Sequence, residues 1–145
     1  HWVYPVHLNP NVKKPAKRYL GRLNNVHLIS PLDYGDLVSV MKKSVVVVTD
    51  SGGLQEEAPS LGKPVLVLRD VTERPEAVHA GTVKLVGAKA KKIEQEVTRL
   101  LTQKRYYAAM ANRVNPYGDG QASRRIRQAI EYYFGIRKER PNSFR

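Results

Sequence analysis

The sequence predicts an α/β fold, a parallel sheet with helices on both faces. Three observations carry this. Residues 45–48 and 65–68 are unbroken apolar runs without alternation, as in strands covered on both faces. Helical apolar spacing fills the intervals between such runs. Strands that alternate with helices imply βαβ units and therefore parallel pairing.

The elements follow in order. Residues 2–6 form a short apolar run that ends in the turn-rich His7-Leu8-Asn9-Pro10. The basic stretch 11–24 has room for a short helix, and 26–29 reads as a strand. Pro31-Leu32-Asp33-Tyr34 opens a helix through Met41, with Leu37, Val38, Val40 and Met41 near one face. Residues 44–49 give the clearest strand. Helix signals run from 54 to 61, closed by Gly62 with Pro64 beyond it. Strand 65–68, a short helix at 75–80, strand 82–86 and an amphipathic helix at 90–101 follow, the last with Ile93, Val97, Leu100 and Leu101 on one stripe. Residues 105–112 and 122–134 read as further helices, separated by the loop Asn115-Pro116-Tyr117-Gly118-Asp119-Gly120. No repeat or low-complexity segment is present.

The 145 residues suit one domain, expected over 1–134, with 135–145 as a basic tail. The apolar share of 41% supports a packed core. No apolar run approaches the roughly 20 residues of a membrane helix. The absence of cysteine excludes disulfides and thiolate metal sites and is compatible with a cytoplasmic setting. The chain opens His1-Trp2-Val3-Tyr4-Pro5, without an initiator Met or a signal-peptide pattern, which suggests a piece of a longer protein. The net charge of +12 admits three partners: nucleic acid, an anionic lipid surface, or an anionic small substrate. Basic residues crowd after Ser123, where a solvated basic helix and tail is the simpler reading.

The first candidate site is the strand–loop–helix at 45–61. Ligands of open α/β sheets sit outside the C-terminal strand ends. Ser51-Gly52-Gly53 would present unpaired N–H groups, a hydroxyl and no obstructing Cβ to a phosphate. Glu56 and Glu57, one turn on, could accept both hydroxyls of a ribose. Alternatively, Ser51 merely caps the helix, the glycines make a tight turn, and the glutamates favour the first turn electrostatically. The second is Arg69-Asp70-Val71-Thr72-Glu73-Arg74-Pro75-Glu76, after the next strand. Arg74 could meet a diphosphate with its planar fork; otherwise Arg69, Glu73, Arg74 and Glu76 are a surface ion-pair cluster. The third is His7, a strand-end histidine suited to phosphate or proton transfer, or simply a polar loop residue. His27 and His79 have no partner at ligand spacing. No metal site, catalytic triad, Walker phosphate loop or G-x-G-x-x-G fingerprint is found.

Five motifs, in order and spacing, resemble the non-hydrolysing UDP-N-acetylglucosamine 2-epimerases. They are Tyr4-Pro5-Val6-His7-Leu8-Asn9-Pro10-Asn11-Val12, Thr49-Asp50-Ser51-Gly52-Gly53-Leu54-Gln55-Glu56-Glu57-Ala58-Pro59, Gly62-Lys63-Pro64-Val65-Leu66, Thr72-Glu73-Arg74-Pro75-Glu76 and Asn115-Pro116-Tyr117-Gly118-Asp119-Gly120. The resemblance implies the second Rossmann-like domain of a glycosyltransferase-B-like pair, with the active site in the cleft. It implies that Ser51, Gly52 and Gly53 hold the diphosphate of a UDP-sugar, that Glu57 holds the ribose, and that Arg74 approaches the phosphates. His7 would match a histidine associated with a second, regulatory UDP-sugar. Leu37 stands where the family often has an aromatic residue stacked on uracil; leucine covers the base without stacking. Leu32 replaces a common glutamine.

The family chemistry eliminates UDP across C1–C2 and re-adds it to give the other C2 epimer, without a redox cofactor. Its acid–base carboxylates belong to the first domain, and its key histidine to an upstream T-H-R-R-E-N-like motif. The chain is therefore expected to carry no catalytic residue and to bind UDP without turnover. Its partners would be the UDP-sugar and the N-terminal domain, with a homodimer formed through the latter. Two other readings remain open. One is the nucleotide domain of a glycosyltransferase of the same architecture, which lacks the pairing of Thr72–Glu76 and 115–120 motifs. The other is a basic nucleic-acid module. The aromatics Tyr106, Tyr107, Tyr132 and Tyr133 lie on helical stretches rather than a strand face, which disfavours the latter.

Overall fold

The computed structural model describes residues 1–144. The chain divides into two compact units, His1–Val40 and Met41–Arg145.

In the first unit β1 (Trp2–Pro5) pairs in parallel with β2 (Val26–Ile29), in the register Trp2↔Val26 to Pro5↔Ile29. The crossover is α1 (Pro10–Leu20). Its start is written locally: Asn9 Oδ1 accepts from the Asn11 N–H at 2.9 Å, and Pro10 supplies a preset φ where no helical donor is needed. Helix α2 (Tyr34–Lys43) begins the same way, with Asp33 Oδ1 accepting from the Asp36 N–H at 2.9 Å.

The second unit is built on β3 (Val47–Thr49), β4 (Val65–Val67) and β5 (Val83–Leu85), a three-stranded parallel sheet in that order. Parallel pairing is as expected, but the ladders form two sheets rather than one. The connections are α3 (Gly52–Ser60) and α4 (Pro75–Ala80), followed by α5 (Ala90–Thr102), α6 (Lys104–Ala111) and α7 (Ala122–Tyr133). All three residues of the central strand β4 are fully buried. Leu66 packs with Val86, Leu100 and Met110, against Ile93, Val97, Tyr106 and Tyr107 from α5 and α6. Val65 and Val67 point to the opposite face by strand alternation. Helices α3 and α4 contact β4 and β5 and bury Ala58, Pro59 and Ala77. Burying both faces explains the unbroken apolar run.

Two expectations need correction. The strand predicted over 44–49 is hydrogen-bonded only over Val47–Thr49. Ser44 instead closes the turn after α2, its N–H and hydroxyl both donating to the Met41 carbonyl, and Val45 is exposed. In α5, Leu101 lies outside the buried stripe, while Glu96 lies within it at 8% exposure. Helical spacing puts position 96, between 93 and 100, on the buried face.

Glu96 is held by donors from two other elements. Its Oε2 lies 2.8 Å from Lys84 Nζ on β5 and accepts from Tyr106 OH on α6 at 2.6 Å. The Arg99 guanidinium stacks 4.0 Å from the Tyr106 ring centre. Burial opposes the Glu96 charge, yet the hydrogen bonds from Lys84 and Tyr106 outweigh it and hold the carboxyl below its ordinary pKa. Burial likewise opposes the Lys84 charge, and the bonds that Lys84 Nζ donates to Glu96 and, at 3.0 Å, to Tyr106 OH reverse it and raise Lys84.

A carboxyl depressed in the folded state contributes stability above its unfolded pKa and loses it as pH falls through the folded value. The raised lysine contributes below its ordinary pKa and loses this as pH rises through the folded value. Glu96→Ala is expected to cost roughly 1.5–3 kcal/mol in urea unfolding at neutral pH. The difference from wild type should shrink below the ordinary carboxylate range.

Candidate functional site

The register Val47↔Val65 and Thr49↔Val67 brings the C-terminal ends of β3 and β4 side by side. The loops that follow, 50–51 and 68–74, therefore share one sheet edge. The turn into α3 starts at Thr49, whose buried hydroxyl accepts from the Ser51 N–H at 3.0 Å. Ser51 is the extended residue before the helix, yet its side chain makes no capping bond. The capping alternative therefore lacks its hydrogen bond. Gly52 and Gly53 form the first helical turn, where N–H groups have no intrahelical acceptor. A Cβ on Gly52 would stand 2.8 Å from Glu73 Oε1, so glycine permits the close approach of the second loop.

The two adjacent glutamates of α3 separate. Glu56 pairs with Nε of Arg74, and this bond is the main cause of the raised Arg74 pKa. Glu57 Oε1 lies 3.8 Å from the Cβ position of Gly53, and Oε2 is buried with no hydrogen-bond partner among the described residues. A buried carboxylate oxygen left unpaired is costly and is the position where a donor is missing.

The predicted cluster at 69–76 is only partly an ion-pair network. Arg69 Nη1 meets Glu73 Oε2 at 2.9 Å. Arg74 goes to Glu56 rather than to the Glu73 or Glu76 carboxylate. Glu73's own backbone N–H, with Arg69 and Arg74 in support, lowers its carboxyl pKa. Glu76 accepts instead from Tyr117 OH at 3.4 Å, an oxygen that also accepts from the Ala77 N–H. Burial is the leading cause of the raised Tyr117 pKa.

Sequence reasoning missed three contributors. Gln55 is fully buried; its Nε2 donates to the Ser51 carbonyl at 3.2 Å, and its Oε1 accepts from Thr72 Oγ1 at 2.6 Å. Thr72 Oγ1 in turn accepts from the Arg74 N–H at 3.1 Å. The signal for Gln55 was a polar residue on the same helical face as Ala58 and Pro59. Asn115, read only as a turn former, donates from Nδ2 to the Glu56 carbonyl at 3.1 Å and to Ser60 Oγ at 2.5 Å, while its Oδ1 accepts from the Tyr117 N–H. It ties the loop at 115–120 to α3. Asp119 then clamps the start of α7 through a two-pronged Arg125 contact, both bonds 2.7 Å, which depresses its carboxyl pKa.

The remaining predicted residues, His7 and Leu37, lie in the first unit. His7 is exposed, and its Nδ1 accepts from the Asn9 N–H at 3.1 Å, which leaves Nε2 to carry the ring proton. Leu37 is half-buried on α2, with its N–H bonded to the Asp33 carbonyl. His27, expected to lack a partner at ligand spacing, stacks on His1, with Nδ1 of His1 2.9 Å from its Nε2. The pair is a cross-strand neighbourhood that spacing in sequence does not show.

Parallel strands, covered faces and polar loops gathered at the strand ends define a Rossmann-like α/β protein, of the kind found in glycosyltransferase-B-like architectures. The profile of the family described as UDP-N-acetylglucosamine 2-epimerase matches residues 1–131, and the chain belongs to that family. The UDP-N-acetylglucosamine 2-epimerase of Escherichia coli K12 is 60% identical over 129 residues, which are 89% of this chain and 34% of that protein. Among solved structures, the UDP co-structure of MnaA from S. aureus superposes with a TM-score of 0.88 at 49% identity, covering 99% of this chain and 39% of that one. The UDP-GlcNAc 2-epimerase from Neisseria meningitidis bound to UDP-GlcNAc gives 0.82 at 57% identity, covering 88% of this chain and 35% of that one. The chain thus spans little more than a third of the length of these relatives.

Asn115→Ala removes both donors and the acceptor that dock the 115–120 loop on α3. It is expected to lower stability by about 1–3 kcal/mol in urea unfolding. Hydrogen exchange at the Tyr117 amide should accelerate more than at the β4 amides.

Proposed function

We propose that this chain is the UDP-binding C-terminal half of a UDP-N-acetylglucosamine 2-epimerase of the cytoplasm. The observation that carries the reading is the buried Oε2 of Glu57, unpartnered among the described residues, one turn from the Gly52–Gly53 start of α3. A ribose diol donates to such an oxygen. A diphosphate attached to that ribose can then reach the helix start, where unpaired N–H groups and the helix dipole favour an anion. Ser51, Gly52 and Gly53 hold the diphosphate in this reading, and Arg74 adds charge from the neighbouring loop. The Glu56 pair holds the Arg74 guanidinium through Nε, Nη1 donates to the Glu73 carbonyl at 3.4 Å, and Nη2 is left for phosphate oxygens. His7, in the first unit, serves a second UDP-sugar through its Nε2–H. The UDP and UDP-GlcNAc complexes of the similar proteins support the choice of nucleotide.

The chain holds and orients the UDP leaving group. Elimination across C1–C2 and re-addition, which interconvert UDP-GlcNAc and UDP-ManNAc, draw their proton-transfer groups from the rest of the enzyme. UDP should bind this chain saturably in calorimetry, and Glu57→Ala or Arg74→Ala should each weaken binding by about tenfold or more. Wild-type protein that does not bind UDP would remove the nucleotide assignment. The full-length enzyme carrying this chain, given UDP-GlcNAc and no acceptor, should form the manno epimer. Absence of any product would sink the epimerase assignment.

A further inference from the structure

The two loops proposed to grip the diphosphate are joined by one side chain that no binding role uses. Gln55 is 0% exposed, on the face of α3 that also buries Ala58 and Pro59. A leucine would fill such a position without polar atoms to satisfy. A buried amide is tolerated only when its donor and acceptor are both paired, and here both are. One end holds the carbonyl of Ser51; the other holds the hydroxyl of Thr72. The bonds continue outward on both sides, from the Ser51 N–H to Thr49 Oγ1 and from the Arg74 N–H to Thr72 Oγ1. An unbroken chain of hydrogen bonds therefore runs from the end of β3 to the backbone of Arg74.

The direction of each bond is forced. The Ser51 carbonyl can only accept, so the amide must turn its nitrogen to it. Thr72 Oγ1 already accepts from the Arg74 N–H, so its own proton goes to Gln55 Oε1.

We propose that Gln55 is a positioning residue for nucleotide binding: it sets the separation between the Ser51–Gly53 loop and Arg74 without touching the ligand. The role rests on the proposed UDP site. The strand ladder fixes where β3 and β4 end, but the loops beyond it have no ladder of their own. The buried amide supplies the missing tie. A clamp built from two loops binds tightly only if both are held at the right distance beforehand.

The test uses UDP titration of the wild-type chain and four variants. Gln55→Leu keeps the bulk and removes both bonds; it should stay folded and bind UDP roughly tenfold more weakly. Gln55→Glu keeps the acceptor for Thr72 but presents an anionic oxygen to the Ser51 carbonyl at neutral pH. Its affinity, taken relative to wild type at each pH, should recover as the carboxyl protonates and regains a donor. A side chain that merely fills space gives no such pH profile. Thr72→Val should weaken binding as Gln55→Leu does, and Thr72→Ser should recover most of the loss. If Gln55→Leu fails to fold, the Gln55→Glu pH profile and the Thr72 pair decide. Wild-type binding with flat pH ratios and unchanged affinity in the Gln55 and Thr72 variants overturns the positioning role alone. Wild-type protein that does not bind UDP removes the underlying site and the role with it.

Discussion

The parallel pairing of β3 with β4 is the constraint on which the rest depends. Parallel strands point the same way, so the loops after them emerge at the same edge. The register Thr49↔Val67 places residues seventeen and eighteen positions apart in sequence at one locus, as the bonds from Thr72 to Gln55 and from Arg74 to Glu56 record. The ladder can form only if β4 is sheathed on both faces, and this sets the apolar character of Val65, Leu66 and Val67. The helices that sheathe it also supply the polar groups of the edge. Helix α3 carries Gln55, Glu56 and Glu57 over a single turn, and the three have different environments: buried and paired, bonded to arginine, and half-buried with one buried oxygen unpartnered among the described residues.

That separation has an electrostatic consequence. With a net charge of +12 the chain has ample cationic charge for an anionic ligand, but only a placed charge discriminates. Glu56 uses its carboxylate to fix the Arg74 side chain, and Glu73 pairs with Arg69 at the same edge. Partly exposed pairs of this kind add little to stability. Their effect is directional: they restrict where the guanidinium groups can go. The Glu96 cluster on the opposite side of β4 works differently. There the carboxylate is nearly buried, so its bonds to Lys84 and Tyr106 join β5, α5 and α6 into one block behind the sheet.

Much of this was legible in the sequence. The strands at 26–29, 65–67 and 83–85, the helices at 75–80, 90–102 and 122–133, and the loop–helix junction at Ser51 follow from apolar runs, 3.6-residue spacing and glycine placement. These signals are local, and local chemistry fixes them. Where local signals mislead, the competing contact is also specific. Ser44 looked like strand because valines follow it, but its two bonds to Met41 belong to the end of α2. Leu101 looked like core, but helical rotation gives its place to Glu96, which the donors on β5 and α6 make tolerable.

By itself, the sequence determined the α/β class, the order of the elements, the family, and the loops in which polar residues gather. Tertiary structure alone decided which of those residues meet. Residue chemistry and spacing do not distinguish Glu56 from Glu57, which are identical and adjacent; only the family resemblance singles out Glu57. The difference arises when the loop after β4 brings Arg74 to one and leaves an oxygen of the other buried without a donor among the described residues. Nor could the sequence show that Gln55 bridges to Thr72, seventeen positions away. A hydrogen bond depends on positions to within a few tenths of an ångström, and across a sheet edge those positions are fixed by strand register and helix packing.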